Sequence, residues 1–243
     1  MSKVVIKSEN LTKVFDNNTR ALNGINLTIS KGEWVTIMGP SGSGKTTLLN
    51  ILGGLDKPSN GTVFVDGKDI TKLNSRLLTK YRRENIGFIF QQFHLVPYLN
   101  AVENVMLAQY FHSIALEQDA EEVLERVGLK ERLTHLPTQM SGGEQQRVAV
   151  ARAIANEPEI LLADEPTGNL DQTNGKVVLD LLESLHKEGH TIVMITHDIN
   201  IAKRSQRIIK LIDGKIYSDK STRVKSKNPD KKILKNISKK IGG

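Results

Sequence analysis

The chain has 243 residues, room for one large domain or two small ones, and its 38% apolar and 25% charged content exclude a collagen-like, low-complexity or wholly disordered protein. It contains no cysteine, which rules out a disulfide framework, a cysteine-ligated zinc and thiolate catalysis. The net charge of +7 is unevenly placed: residues 215–243 hold ten Lys and Arg against Asp219 and Asp230, a balance of +8 that leaves −1 for residues 1–214, so the folded body lacks the charge of a general nucleic-acid binder.

No apolar run approaches the ~18 to 20 residues that span a bilayer, and the opening MSKVVIKSEN lacks the apolar core of a signal peptide, so the chain is expected in the cytoplasm. Short runs with β-branched residues recur at 4–6, 35–38, 86–90, 160–163, 192–196 and 208–212, many separated by helical patterns. The four later runs are unbroken, as in strands buried on both faces of a parallel sheet, and predict an α/β core. Residues 61–68 read as a short strand and an Asp-Gly turn, which adds a small antiparallel sheet near the N-terminus. Between Gln92 and Glu157 the strand signal vanishes and helical stretches take over, at 117–127 and after Ser141, predicting a helical insertion.

The run at 35–38 leads into Gly39-Pro40-Ser41-Gly42-Ser43-Gly44-Lys45-Thr46 and then a helical pattern from Thr47, matching the phosphate loop G-x-x-x-x-G-K-[ST] in its strand-loop-helix setting. Backbone N–H groups and the positive helix end would meet phosphate charge there, Lys45 would reach the β- and γ-phosphates, and the Thr46 hydroxyl would ligate Mg²⁺. A plain Gly-rich turn before a helix is the bland alternative; it does not require the eight-residue pattern. The run at 160–163 ends in Asp164 and Glu165, at the strand edge where α/β sheets bind ligands. Asp164 suits Mg²⁺ and Glu165 suits polarising an attacking water. By itself such a pair often only begins a solvated loop; it gains meaning from the phosphate loop 119 residues earlier.

Met140-Ser141-Gly142-Gly143-Glu144-Gln145-Gln146-Arg147 reads locally as a serine N-cap on a glycine-rich helix start. It also resembles the LSGGQ-type signature of ATP-binding cassette (ABC) ATPases, with Met140 a volume-conserving replacement for the usual Leu. The resemblance covers about residues 3–217. It implies a P-loop NTPase (RecA-like) core with a mostly parallel sheet, an N-terminal antiparallel β subdomain and an inserted α-helical subdomain. Core would fall at about 1–91 and 157–220, the helical part at about 92–156, and a basic tail at 221–243. It also implies that ATP and Mg²⁺ are the ligands and that Ser141, Gly142, Gly143 and Glu144 contact the γ-phosphate held by a second subunit. By the same resemblance Gln91 matches the Q-loop glutamine that senses Mg²⁺ and the attacking water, Asp171 lies in the D-loop that crosses the dimer interface, and His197 is the switch histidine on the γ-phosphate. Phe15 sits where many relatives stack an aromatic ring on adenine.

Stretches 55–58, 87–92, 163–171 and 196–199 resemble the ATPases of macrolide and antimicrobial-peptide efflux and of lipoprotein release. That branch implies a homodimer, head-to-tail and symmetric, driving an integral membrane permease from the inner face of the cell membrane for export or mechanotransmission. The alternative is a soluble ABC ATPase acting on nucleic acid or the ribosome. Only 94 residues separate Lys45 from Gln139, without sustained heptads, and the chain carries one cassette, so no nucleic-acid partner is expected. A P-loop kinase gives no account of residues 141–147.

In residues 231–241, Ile233, Leu234, Ile237 and Ile241 share one helical face while Lys231, Lys232, Lys235 and Lys239 lie largely on the others, the spacing of a short helix that would sit on an anionic membrane surface or beside the permease. Isolated helices this short are marginal and Lys-rich C-termini are often only solvated, so both readings stay open.

Overall fold

The computed structural model describes residues 3–16, 18–110 and 116–222. The chain forms β1 (Val4–Val14), β2 (Arg20–Ser30), β3 (Trp34–Met38), α1 (Lys45–Leu52), β4 (Asn60–Val65) and β5 (Lys68–Asp69). It continues through α2 (Ser75–Asn85), β6 (Ile86–Ile89), α3 (Ala101–Tyr110), α4 (Glu117–Arg126) and α5 (Gly142–Ile154). The last third is β7 (Ile160–Asp164), α6 (Gln172–Lys187), β8 (Thr191–Ile195), α7 (Ile199–Ala202), β9 (Arg207–Ile212) and β10 (Lys215–Ser221). Two sheets result. One is antiparallel in the order β2-β1-β4-β5; the other has the order β10-β9-β3-β8-β7-β6 and is parallel except for β10.

Strands β3, β7 and β8 are buried along nearly their whole length, as their unbroken apolar runs require of strands covered on both faces. Alternate side chains divide between two cores. Ile160, Leu162, Val193 and Ile195 pack with α1 and the antiparallel sheet, whereas Leu161, Ala163, Ile192 and Met194 pack with helices α3 to α6. Strand β9 departs from the expectation of double burial. It pairs with β3 on one side and the polar edge strand β10 on the other, and Lys210 between buried Ile209 and Leu211 reaches solvent.

Among the elements not apparent in the sequence are β2, β10 and α2. The strand expected at 4–6 also runs on to Val14, since its later residues alternate polar and apolar across bulges against β2. The stretch from 92 to 157 holds helices and no strand among the described residues, as expected. The helix anticipated at 231–241 lies outside the described residues.

Candidate active site

Ile37 of β3 pairs with Ile195 of β8, and Ile195 pairs with Asp164 of β7, so three strand ends open at one level. This is the carboxyl edge where open α/β sheets take ligands. The phosphate loop leaves β3 under close constraint: a Cβ on Gly39 would lie 2.1 Å from the Leu211 carbonyl oxygen, and one on Gly44, at φ +97°, 2.2 Å from that of Ala21. Only glycine lets the loop pass so near the neighbouring backbone. Lys45 Nζ donates to the Gly39 and Pro40 carbonyls at 2.9 Å each, which leaves one ammonium proton for a phosphate oxygen. Helix α1 starts from Gly44 with no capping side chain, whereas α2, α5 and α6 are capped by Asn74, Ser141 and Asp171. Its first-turn N–H groups, on Lys45, Thr46 and Thr47, therefore face the cleft without a side-chain competitor, the arrangement that binds anions. Ser43 Oγ is buried and has no hydrogen-bond partner within the protein.

Asp164 accepts a hydrogen bond from the Thr46 hydroxyl. Burial holds its carboxyl above the usual aspartate range; the Thr46 bond and the Lys45 charge pull the other way, and Glu165 reinforces the rise. Two adjacent hard oxygen donors, one of them costly to keep ionised without a cation, fit Mg²⁺. Glu165 sits at φ +46°, a left-handed conformation that costs a non-glycine residue about 1 kcal/mol or more. Its N–H donates to the Ile195 carbonyl at 3.1 Å and its carbonyl accepts from Gly168 N–H at 2.9 Å, which fixes the turn. The strained turn aims the carboxylate into the cleft, where Oε2 lies 2.8 Å from His197 Nδ1. Gln91 and Asn169 exchange hydrogen bonds, Gln91 Nε2 to Asn169 Oδ1 at 3.2 Å and Asn169 Nδ2 to the Gln91 carbonyl at 3.0 Å, so the end of β6 is tied to the segment after β7.

A cleft of about 530 Å³ thus gathers Phe15, Gly39, Ser41, Gly42, Gly44, Lys45, Thr46, Thr47, Gln91, Asp164, Glu165 and His197. Pro40 and Ser43 complete the loop behind it. Phe15 forms the rim, 43% exposed, with Lys13 Nζ 5.1 Å from the ring centroid. Ser141, Gly142, Gly143 and Glu144 do not line this cleft; they form the first turn of α5. There Ser141 Oγ accepts from Glu144 N–H, and Glu144 Oε2 accepts from both the N–H and the hydroxyl of Ser141. Those bonds, the backbone one foremost, hold the Glu144 carboxyl at about 2 despite partial burial, with Arg132 assisting. Asp171 caps α6 through Asn174 N–H at 2.8 Å, and a Cβ on Gly143 would meet Asn174 Oδ1 at 2.2 Å.

The sequence reading missed two residues that position the site. Gln146, buried within α5, donates to the carbonyls of Phe90 at 3.2 Å and Pro166 at 2.7 Å, and Arg152 donates to those of Phe93 and His94. Together they fasten the helix carrying Ser141 to the segments carrying Gln91 and Glu165.

A phosphate loop after the first strand of a mostly parallel sheet, with a carboxylate pair at the end of β7, defines a P-loop NTPase. The family profile described as ABC transporter matches residues 22–168, and the chain belongs to that family. The macrolide export ATP-binding/permease protein MacB of Vibrio parahaemolyticus is 50% identical over 225 residues, which cover 90% of this chain and 34% of that protein. MacB of Shewanella oneidensis is 54% identical over 201 residues, 82% of this chain and 31% of that protein. The chain therefore spans about a third of the length of these curated relatives. Among solved structures, the dimeric bacterial ABC transporter cassette MJ0796 matches with a TM-score of 0.84 at 46% identity, covering 90% of this chain and 99% of that one. A post-hydrolysis dimer of the same cassette bound to ADP and Pi matches equally well at 45% identity. The chain has the fold of an ABC ATPase cassette.

Proposed function

We propose that this cassette powers export through a partner integral membrane permease, working as a head-to-tail homodimer on the cytoplasmic face of the membrane. The observation that carries the reading is the division of the site: Lys45, Asp164, Glu165 and His197 share one cleft, while Ser141 to Glu144 present a separate helix start. A second copy turned head to tail supplies what each cleft lacks. The likeness to MacB, named for macrolide export, supports the export direction, and the dimeric MJ0796 cassette supports the assembly.

In this reading adenine stacks on Phe15, and the triphosphate lies along residues 39–47 with Lys45 on its β- and γ-phosphates. Thr46, Asp164 and Gln91 would hold Mg²⁺, which would supply charge neutralisation at the phosphates. Glu165 orients and deprotonates the attacking water, His197 fixes Glu165 and contacts the γ-phosphate, and Asp171 crosses to the other subunit. A groove lined by Leu55, Phe88, Phe90, Arg82 and Arg152 adjoins the Gln91 segment and would admit the permease. No helix among the described residues is long and apolar enough to cross a membrane.

Two measurements test this. Hydrolysis per mole of purified chain is expected to rise with protein concentration until dimers saturate; a specific activity constant over a range where light scattering reports only monomer would overturn the dimeric site. For the basic tail, full-length protein is expected to co-sediment with anionic liposomes more than a chain ending at Ser221, with the difference lost at high salt, because each Lys near an anionic leaflet contributes ~1 kcal/mol. Equal sedimentation of the two would dismiss lipid binding by the tail.

A further inference from the structure

The carboxylate of Glu144 stands where an anion has to dock. This follows from the proposed role of α5 as the surface that meets the partner's γ-phosphate. Glu144 Oε2 accepts from Ser141 N–H at 2.8 Å and from the Ser141 hydroxyl at 2.9 Å, so the serine proton points at a carboxylate rather than outward. A phosphate arriving at Ser141 meets a full negative charge within one side chain of the contact, and Glu144 stays ionised at any working pH.

Glu144 has a second partner that belongs to no motif. Arg132, twelve residues earlier, donates from Nε to Glu144 Oε1 at 2.8 Å, while its Nη1 donates to the Glu131 carbonyl at 3.2 Å. Arg132 is 41% exposed and Glu144 20%, so the pair lies at the surface of the chain. A guanidinium keeps its charge and its planar fork, and it occupies one carboxylate oxygen while Ser141 occupies the other.

We propose that Arg132 is a positioning residue for the reaction: it neutralises Glu144 and holds it against the Ser141 cap, so that the first-turn N–H groups of α5 can receive the γ-phosphate bound by the opposite subunit. Without Arg132 the carboxylate is still tethered by Ser141, and the first turn still forms. What is lost is the neutralising charge, at a place that becomes desolvated when the dimer closes.

The test is the kinetics of the full chain carrying Arg132→Met, Arg132→Lys, and Arg132→Met combined with Glu144→Gln. Arg132→Met is expected to lower kcat/KM for Mg-ATP on the order of tenfold, the scale of one uncompensated charge at a surface-like dielectric. The loss should shrink as salt is raised from 0.05 to 0.5 M, by about the screening expected for charges several ångströms apart. Affinity for ADP, which the chain's own loop binds, should stay unchanged. Arg132→Lys should recover part of the loss, and adding Glu144→Gln to Arg132→Met should recover most of it, because the charge that needed a partner is gone. A packing or folding role for Arg132 predicts neither the salt dependence nor the recovery. If the double variant is no more active than Arg132→Met, or if Arg132→Met matches wild type, the proposal is overturned. Ser141→Arg measured alongside separates the two layers: if it is inactive while Arg132→Met is normal, only the role of Arg132 falls, and if it too is fully active, the signature reading falls with it.

Discussion

Glu165→Gln is expected to cut steady-state phosphate release by ~10²- to 10⁴-fold, the usual contribution of a positioned general base, while ATP binding persists. The amide is nearly isosteric with the carboxylate. It retains a polar atom for His197 Nδ1, now 2.8 Å from Oε2, and leaves the turn fixed by its bonds to Ile195 and Gly168. What disappears is the proton acceptor and one negative charge. Losing that charge also relieves repulsion against the triphosphate, so ATP should hold the two subunits together where wild type turns over and separates. Size-exclusion chromatography with ATP should show a stable dimer for the variant, with two nucleotides retained after denaturation. Hydrolysis at near the wild-type rate in a phosphate-release assay would remove Glu165 from the mechanism.

The difference between what was legible in the sequence and what was not follows the range of the interactions. The phosphate loop is a contiguous eight-residue device whose glycines, lysine and threonine act on one ligand, so its pattern survives intact in the chain order. Strands β7 and β8 are legible for a similar reason: burial on both faces demands an unbroken apolar run, and each has one. Strand β2 was hidden because its alternation changes phase. Leu22 pairs with Lys13 but Ile25 with Leu11, a bulge around Asn23 and Gly24 that moves later side chains to the other parity and leaves a clean period of two only over the short stretch 25–29. Helix α2 buries only Leu78 and Tyr81, a stripe too thin to stand out among its charged residues. The ties between Gln91 and Asn169, across 78 residues, and between Arg132 and Glu144, across 12, depend on tertiary placement and leave no local pattern.

The largest consequence of the divided site is a result that only paired lesions can give. Lys45→Ala removes the ammonium that would meet the β- and γ-phosphates, and Ser141→Arg sets a bulky side chain where a phosphate oxygen would dock. Losing the serine cap costs about 1 kcal/mol, small against the 5–15 kcal/mol that typically holds a domain folded, so the second variant should still fold. In a dimer whose one chain carries both lesions, the intact loop and the intact signature belong to the same wild-type subunit. Each then faces a damaged counterpart, and both composite sites are broken. With the lesions on different chains, the Ser141→Arg subunit contributes a sound loop and the Lys45→Ala subunit a sound signature, and these two meet in one whole site. Dimers of defined composition, purified through a different tag on each subunit, should therefore show background hydrolysis and weak ATP-dependent association in the first arrangement. The second should associate in ATP and hydrolyse at up to roughly half the wild-type rate, since one site of two remains. Complementation in cis would predict the opposite order, because a wild-type subunit beside a doubly damaged one would keep its own complete site. Equal association and hydrolysis in the two arrangements would count against a γ-phosphate shared between Lys45 of one chain and Ser141 of the other.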